Sequence, residues 1–115
     1  MSVVIDGRPL QGGSSVRGIG TYTRGLLGGI AELGRAADIE LLLGAGPTPA
    51  EAASLGLGVA PARVPTVQPS LQRLLDPLLL GGPLRRAAPS LYHGVDLGQP
   101  LRARFPVVVT VHDLI

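Results

Sequence analysis

Two ionisable side chains, His112 and Asp113, directly follow the most β-prone run of the chain, residues 106–111. Because an unperturbed imidazole titrates near neutral pH, His112 could donate or accept a hydrogen bond to a ligand at that strand end. Asp113 could orient the imidazole ring, bind a substrate hydroxyl group or cap the next element. We therefore predict a catalytic role for His112 and a substrate contact for Asp113. The simpler alternative is a local turn in which Asp113 caps a helix.

A glycine pair, Gly12 and Gly13, follows the first predicted strand, and a predicted helix begins near Gly18. Glycines allow the backbone to turn sharply and to present its N–H groups. The start of a helix attracts anions through free N–H donors and the aligned peptide dipoles. We predict that Gly12 and Gly13 bind a phosphate and that Arg17 contacts the same ligand. The alternative is an ordinary surface loop whose glycines serve only its turns.

His93 ends another predicted strand, residues 90–93. It could line the same cleft as His112 and contact substrate, although a single loop histidine is more often structural or merely exposed. A metal site would need more ligands. The chain offers only these two histidines, no cysteine and no cluster of carboxylates. We therefore expect no metal.

The stretch that begins Gly18-Ile19-Gly20 resembles the start of a dinucleotide-binding fingerprint. That fingerprint places its first glycine immediately after a strand and a small residue at its third glycine position. Here the first strand ends about a dozen residues earlier, and Thr23 fills the third position. The sequence therefore argues against a nicotinamide cofactor.

Strands and helices alternate along the chain, and these elements must position the candidate residues. Apolar runs predict strands at residues 2–6, 38–43, 57–64, 90–93 and 106–111. Helical spacing predicts helices at 18–33, 49–55 and 68–80, with one more turn at 84–87. Such alternation is typical of an α/β fold with a mostly parallel sheet. The carboxyl ends of parallel strands meet at one edge, where ligands bind in open α/β sheets.

Several local details carry their own expectations. The β-branched run 106–111 predicts a buried strand that is apolar on both faces. Thr48 is expected to cap the second helix, with Pro49 at its first position. Pro77 is expected to kink or end the third helix. Residues 81–83 are expected to interrupt the helical structure before the turn at 84–87. Gly34 is expected to cap the end of the first helix.

Composition bounds the class of protein. A chain of 115 residues forms one domain at most. Apolar residues make up 45% and charged residues 16%, which excludes disorder by composition. No signal for secretion and no bilayer-length apolar stretch is visible, so a cytoplasmic location is expected. The ten basic residues are all arginines spread along the chain, with few aromatic residues, which argues against nucleic-acid binding.

Three stretches, in this order, resemble a known family: Ile5-Asp6 with the Gly12-Gly13 loop, the helix sequence GIGTYTRGLL at 18–27, and SLYH at 90–93 followed by PVVVTVHDLI at 106–115. The chain resembles the N-terminal domain of a retaining glycosyltransferase with two facing Rossmann-like domains. That large bacterial group includes mannosyl- and glucosyltransferases. The resemblance covers nearly all of residues 1–115, with a generic middle. It implies an open, mostly parallel Rossmann-like sheet flanked by helices.

The resemblance also implies roles for individual residues. Gly12 and Gly13 would approach the diphosphate of a nucleotide-sugar donor, and His112 would hold the donor sugar in the transition state. Arg17 would contact the donor phosphate or an anionic acceptor. In relatives the acceptor binds mainly to this domain and the nucleotide to the C-terminal one. The nucleotide sugar is a substrate, so no further cofactor is implied.

Residues 1–115 lack the C-terminal domain of such enzymes, with its glutamate-containing nucleotide-sugar motif and its phosphate-binding Arg/Lys pair. We therefore expect this chain to be inactive alone, to need that domain as a partner and to self-associate through uncovered apolar surface. Contact with the inner membrane face is an open alternative to a purely cytoplasmic location. Two other hypotheses are a stand-alone Rossmann-like module that binds a phosphorylated ligand and a purely structural assembly domain.

Overall fold

The computed structural model describes residues 2–11, 18–65, 69–95, 100 and 103–110. Five strands form one sheet: β1 (Val3–Asp6), β2 (Ile39–Leu42), β3 (Gly58–Val59), β4 (Leu91–Gly94) and β5 (Val107–Val109). Their order is β3-β2-β1-β4-β5, and every neighbouring pair is parallel. The described chain therefore has an α/β, Rossmann-like architecture, as its alternating pattern predicts.

Helices connect the strands. The helix α1 (Gly18–Glu32) lies between β1 and β2, and α2 (Ala50–Ser54) lies between β2 and β3. Two consecutive helices, α3 (Pro69–Leu79) and α4 (Gly81–Ala87), precede β4. The predicted cap at Gly34 is confirmed: its φ is +73°, and the Arg35 N–H donates back to the Ile30 carbonyl at 3.2 Å.

The strands bury side chains on both faces, so the core has two layers. Ile5, Leu41 and Leu27 belong to the layer on the α1 and α2 side. Val4 and Tyr92 belong to the opposite layer, which also contains apolar residues at the ends of α3 and α4. Helices on both faces explain why the central strands read as nearly continuous apolar runs.

The prediction of a terminal strand buried on both faces is wrong for β5. This strand is the outermost one of the described sheet, paired only with β4 there. Val108 keeps 45% of its surface exposed, and Val107 and Val109 are half-buried. A β-branched run favours a strand wherever it lies, and strand order decides how many neighbours cover it.

The predicted break at residues 81–83 is also wrong, because Gly81, Gly82 and Pro83 form the first turn of α4. A proline fits a first turn, where its missing N–H would have no helical partner. Pro77 lies inside α3, which ends at Leu79, two residues later. The third predicted strand, 57–64, shortens to Gly58–Val59.

The predicted cap of α2 is wrong as well. Pro49 itself precedes the first helical residue, and no side chain caps the helix. The Thr48 hydroxyl instead accepts a hydrogen bond from Arg63 Nη2 at 3.0 Å. None of the described helices has the length and hydropathy that a bilayer span requires.

Candidate functional site at the carboxyl edge of the sheet

The strand order reverses between β1 and β4. From β1 the chain builds outward to β2 and β3, and then returns to place β4 on the other side of β1. In open α/β sheets, ligands bind in the crevice outside the carboxyl ends of the strands at such a reversal. Ile5 pairs with His93 in register, so Asp6 and His93 lie at this edge.

Three polar side chains from three elements meet beside this reversal, and we name them the His93 cluster: Tyr22, His93 and Thr110. The His93 Nε2 atom lies 2.7 Å from the Thr110 hydroxyl oxygen. The Tyr22 hydroxyl lies 3.2 Å from the same oxygen. Tyr22 comes from the second turn of α1, His93 from β4, and Thr110 from the residue after β5. The cluster therefore fastens the start of α1 to the ends of two strands.

The protonation of His93 follows from its partial burial. Desolvation lowers the pKa of the His93 imidazole below its usual value, so the ring is neutral near pH 7. A neutral imidazole has one donor and one acceptor nitrogen. Tyr22 is 39% exposed, so solvent reaches the cluster. The cluster can thus exchange hydrogen bonds with a polar ligand without carrying charge.

A second polar group lies where β1 ends, on the opposite face of the sheet. Arg8 donates to both carboxylate oxygens of Asp6, with Nε and Nη2 each 2.9 Å away. Its Nη1 and Nη2 atoms also donate to Asp76 of α3, at 2.9 and 3.0 Å. Gln72, one turn earlier, donates to Asp76 as well. These paired bonds tie the exit of β1 to α3.

Charge and burial make this network costly to disturb. The side chains of Asp6 and Asp76 are only 3% and 4% exposed. Burial alone would lower the pKa of Arg8, but the two carboxylates outweigh it and the net shift is upward. With both carboxylates ionised, the three side chains carry one net negative charge. The network therefore positions the chain after β1 and does not suit an anionic ligand itself.

Tyr92 lies next to this network. Its ring is fully buried, and its hydroxyl has no hydrogen-bond partner within the part of the chain that the structure describes. Burial raises the pKa of the Tyr92 phenol well above its usual value, and the Asp6 carboxylate raises it further. The phenol is therefore neutral near pH 7.

The turn after β1 is held tightly against β2. A Cβ atom on Gly7 would lie 3.0 Å from Leu43 Cδ2 and 3.2 Å from Leu41 Cβ. The Gly7 N–H donates to the Leu42 carbonyl at 2.8 Å. Beyond the turn, the Gln11 side chain accepts from the Gly44 N–H at 2.9 Å. The chain thus leaves the sheet along a fixed path toward the predicted glycine loop.

Of the predicted site residues, His93 is the one that the structure describes, and it lies at the predicted edge. The others, Gly12, Gly13, Arg17, His112 and Asp113, lie outside the described residues. Within the described ranges, no three histidine, cysteine, aspartate or glutamate residues lie close enough together to hold a metal ion.

Sequence reasoning missed the polar contacts of five residues: Tyr22, Thr110, Arg8, Asp6 and Asp76. Tyr22 recurs at helical spacing with the apolar residues of α1, which hides its hydrogen-bonding role, and Thr110 lies inside a β-branched run. The ion pair of Arg8 with Asp6 is easier to predict from the sequence than the ion pair of Arg8 with Asp76. The Asp6–Arg8 spacing is visible in sequence, whereas Asp76 is 68 residues away from Arg8.

Comparisons with known proteins add no assignment. No family model, no curated protein and no solved structure matches this chain. The functional argument therefore depends on the residues and their geometry.

Proposed function

We propose that this chain is the N-terminal, acceptor-side domain of a retaining glycosyltransferase that uses a nucleotide sugar as donor. The observation that carries the proposal is the His93 cluster, which joins the start of α1 to the ends of β4 and β5 beside the strand reversal. This is the edge at which an open α/β sheet binds a ligand. The family resemblance supplies the reaction.

The start of α1 suits a diphosphate leaving group. Glycosyl transfer from a nucleotide sugar develops negative charge on the leaving diphosphate. Preorganised N–H donors and a helix N-terminus stabilise such charge without reorganising. The first turn of α1 contains no acidic residue. No carboxylate of that turn therefore competes with a bound phosphate.

The His93 cluster also bears on the predicted catalytic residue. The Thr110 hydroxyl is hydrogen-bonded to both His93 and Tyr22. The Thr110 backbone N–H donates to the Gly94 carbonyl at 2.8 Å. His112 follows two residues later in the sequence. Under this proposal the cluster anchors the end of β5 and His112 holds the donor sugar. Gly12 and Gly13 contact the donor diphosphate, and Arg17 contacts phosphate or acceptor.

The proposal requires a partner. The second, nucleotide-binding domain supplies the remaining donor contacts, so turnover belongs to the two domains together. The same proposal places the enzyme in the cytoplasm, with the inner membrane face as the alternative location. Asp113 contacts substrate or caps the element that follows it.

The test uses the complete product of the gene, which the proposal expects to include that second domain. Transfer is assayed with a panel of nucleotide sugars, and the anomeric configuration of the product is read by NMR. His112→Ala is expected to lower turnover by about 100-fold or more, the scale for losing one preorganised donor. Arg35→Ala, at an exposed position with a 74% exposed side chain, is the matched control. Unchanged turnover in His112→Ala would remove this residue from the site.

A stand-alone binding module is the second candidate, and the two-layer core favours it because the described chain covers both faces of the central strands β1, β2 and β4. Titration of residues 1–115 alone with nucleotide sugars and sugar phosphates separates the two functions. Tight binding by this chain alone would favour the module. Concentration-dependent association without any ligand response would favour an assembly domain.

A further inference from the structure

A cavity of about 810 Å³ opens on the edge of the sheet opposite the His93 cluster. One side comes from α4 and the residues after it, and the other from the segment before β5. Because these segments precede parallel strands β4 and β5, the cavity lies at the amino edge. Its lining includes Leu84, Arg85, Pro89, Ala103, Arg104 and Phe105.

Among the described residues of the lining, both charged groups are positive. Arg85 and Arg104 line the cavity, and no acidic residue of the described ranges does. Both side chains are exposed, and neither forms an ion pair or hydrogen bond with a residue in the described ranges. Two guanidinium groups that share a cavity attract an anion, and each can donate to it in a bidentate manner.

One opposing charge is the carbonyl end of α4, which carries partial negative charge. That end is already compensated. The Ala88 N–H donates to the Leu84 carbonyl at 2.9 Å, and Arg85 and Arg86 occupy the last turn. Two full positive charges outweigh the remaining partial charge of a seven-residue helix.

The floor of the cavity is apolar. Leu84 and Pro89 are buried, and Phe105 packs partly buried against the same core layer as Leu84. The volume falls within the range of roughly 300–1,000 Å³ that is typical of small-molecule sites. An apolar floor with two cations beside it matches a ligand that has one acidic group and an apolar body.

We propose that this cavity binds a small anionic amphiphile. Its phosphate or carboxylate group would lie between Arg85 and Arg104, and its hydrocarbon part would lie against Leu84 and Phe105. The site is separate from the carboxyl edge, so this inference does not depend on the proposed glycosyl transfer.

The test measures binding of octyl phosphate, below its micelle concentration, to residues 1–115 by calorimetry and by amide NMR shifts. We expect saturable binding with shifts at α4 and at residues 103–105. Arg85→Gln and Arg104→Gln should each weaken binding by about tenfold, the order of one charge-assisted hydrogen bond. Ala103→Glu places a carboxylate in the lining at an exposed position and should abolish binding. Arg86→Gln, the exposed neighbour that does not line the cavity, is the matched control.

Three results would overturn the proposal. One is equal weakening by Arg86→Gln, which would indicate diffuse attraction to a basic helix. The second is binding of 1-octanol as tightly as octyl phosphate, which would leave the arginines without a role. The third is binding of inorganic phosphate as tightly as octyl phosphate, which would leave the apolar floor without one. Circular dichroism of each variant confirms that the fold is retained.

Discussion

At the scale of single residues, the two polar groups near the strand reversal differ in what burial does to them. His93 is partly buried and needs no charge, so it serves as a neutral hydrogen-bonding group between α1 and the strand ends. Arg8 is half-buried between two carboxylates and retains its charge because they outweigh desolvation. The first group can respond to pH near neutrality, whereas the second cannot.

The lowered pKa of His93 predicts that the stability of the protein depends on pH. The pKa of His93 is lowered in the folded state, so between that lowered value and about 6.5 the unfolded chain binds more protons. The free energy of unfolding should therefore rise with pH through this window and level off above it. Urea unfolding of residues 1–115 between about pH 5.5 and 7.5 should show a steeper slope than in His93→Gln. Identical slopes in the two proteins would contradict the lowered pKa.

At the scale of elements, the turn after β1 is where the sheet, α3 and the predicted glycine loop are joined. The Arg8 side chain connects this turn to α3 through two hydrogen bonds to Asp76, and to the end of β1 through two hydrogen bonds to Asp6. Gly7 allows the turn to lie directly on the Leu41 and Leu43 side chains. Both features set the path on which the chain approaches the candidate site.

Removing the central cation should destabilise the protein strongly. Arg8→Met leaves two buried carboxylates without the cation that pairs with both of them, and we expect a loss of about 3–5 kcal/mol in the free energy of unfolding. Urea denaturation at pH 7 measures it. Arg35→Met removes the cation of an exposed pair with Asp38 and should change stability little. A small loss of unfolding free energy in Arg8→Met would contradict the pairing of Arg8 with both Asp6 and Asp76.

Two glycine substitutions, compared with each other, test the close approach of the turn after β1 to β2. Gly7→Ala should destabilise by about 1–3 kcal/mol, because its Cβ atom would press on Leu43. Gly25→Ala lies in α1 with nothing within 4 Å of the added Cβ atom, and it should stabilise by about 0.5–1 kcal/mol. Thermal or urea unfolding of both variants gives the comparison. Effects of the same sign would contradict the contacts at Gly7.

At the scale of the whole molecule, exposed apolar side chains line one face of α3. Three leucines of α3, namely Leu71, Leu74 and Leu78, are 43%, 73% and 67% exposed and lie three or four residues apart, on one helical face. Val108 at the outer strand β5 is also exposed. Contiguous apolar surface of this kind favours association.

We therefore expect residues 1–115 to self-associate with increasing concentration. The double change Leu74→Lys with Leu78→Glu should shift the weight-average mass toward the monomer in sedimentation equilibrium. Leu33→Lys is the control, since Leu33 is 79% exposed but lies after α1 and away from that face. A chain that stays monomeric at high concentration would refute the expectation, and an equal effect of Leu33→Lys would assign association to general hydrophobicity.

The local elements follow from the sequence because their causes are local. Apolar runs and helical spacing predict the strands β1, β2 and β4 and the helix α1 within one or two residues. Alternation of the elements predicts the parallel sheet. His93 lies at the carboxyl edge of the sheet, where β4 ends, and its contact with substrate stays a prediction.

Other features depend on which elements become neighbours, and no local pattern encodes that. The exposure of Val108 follows from strand order. Tyr22, Thr110 and Asp76 acquire polar partners 88, 17 and 68 residues away. The sequence by itself determined the elements and their parallel arrangement. Only tertiary structure decided the polar contacts, because a hydrogen bond requires two groups to meet in space.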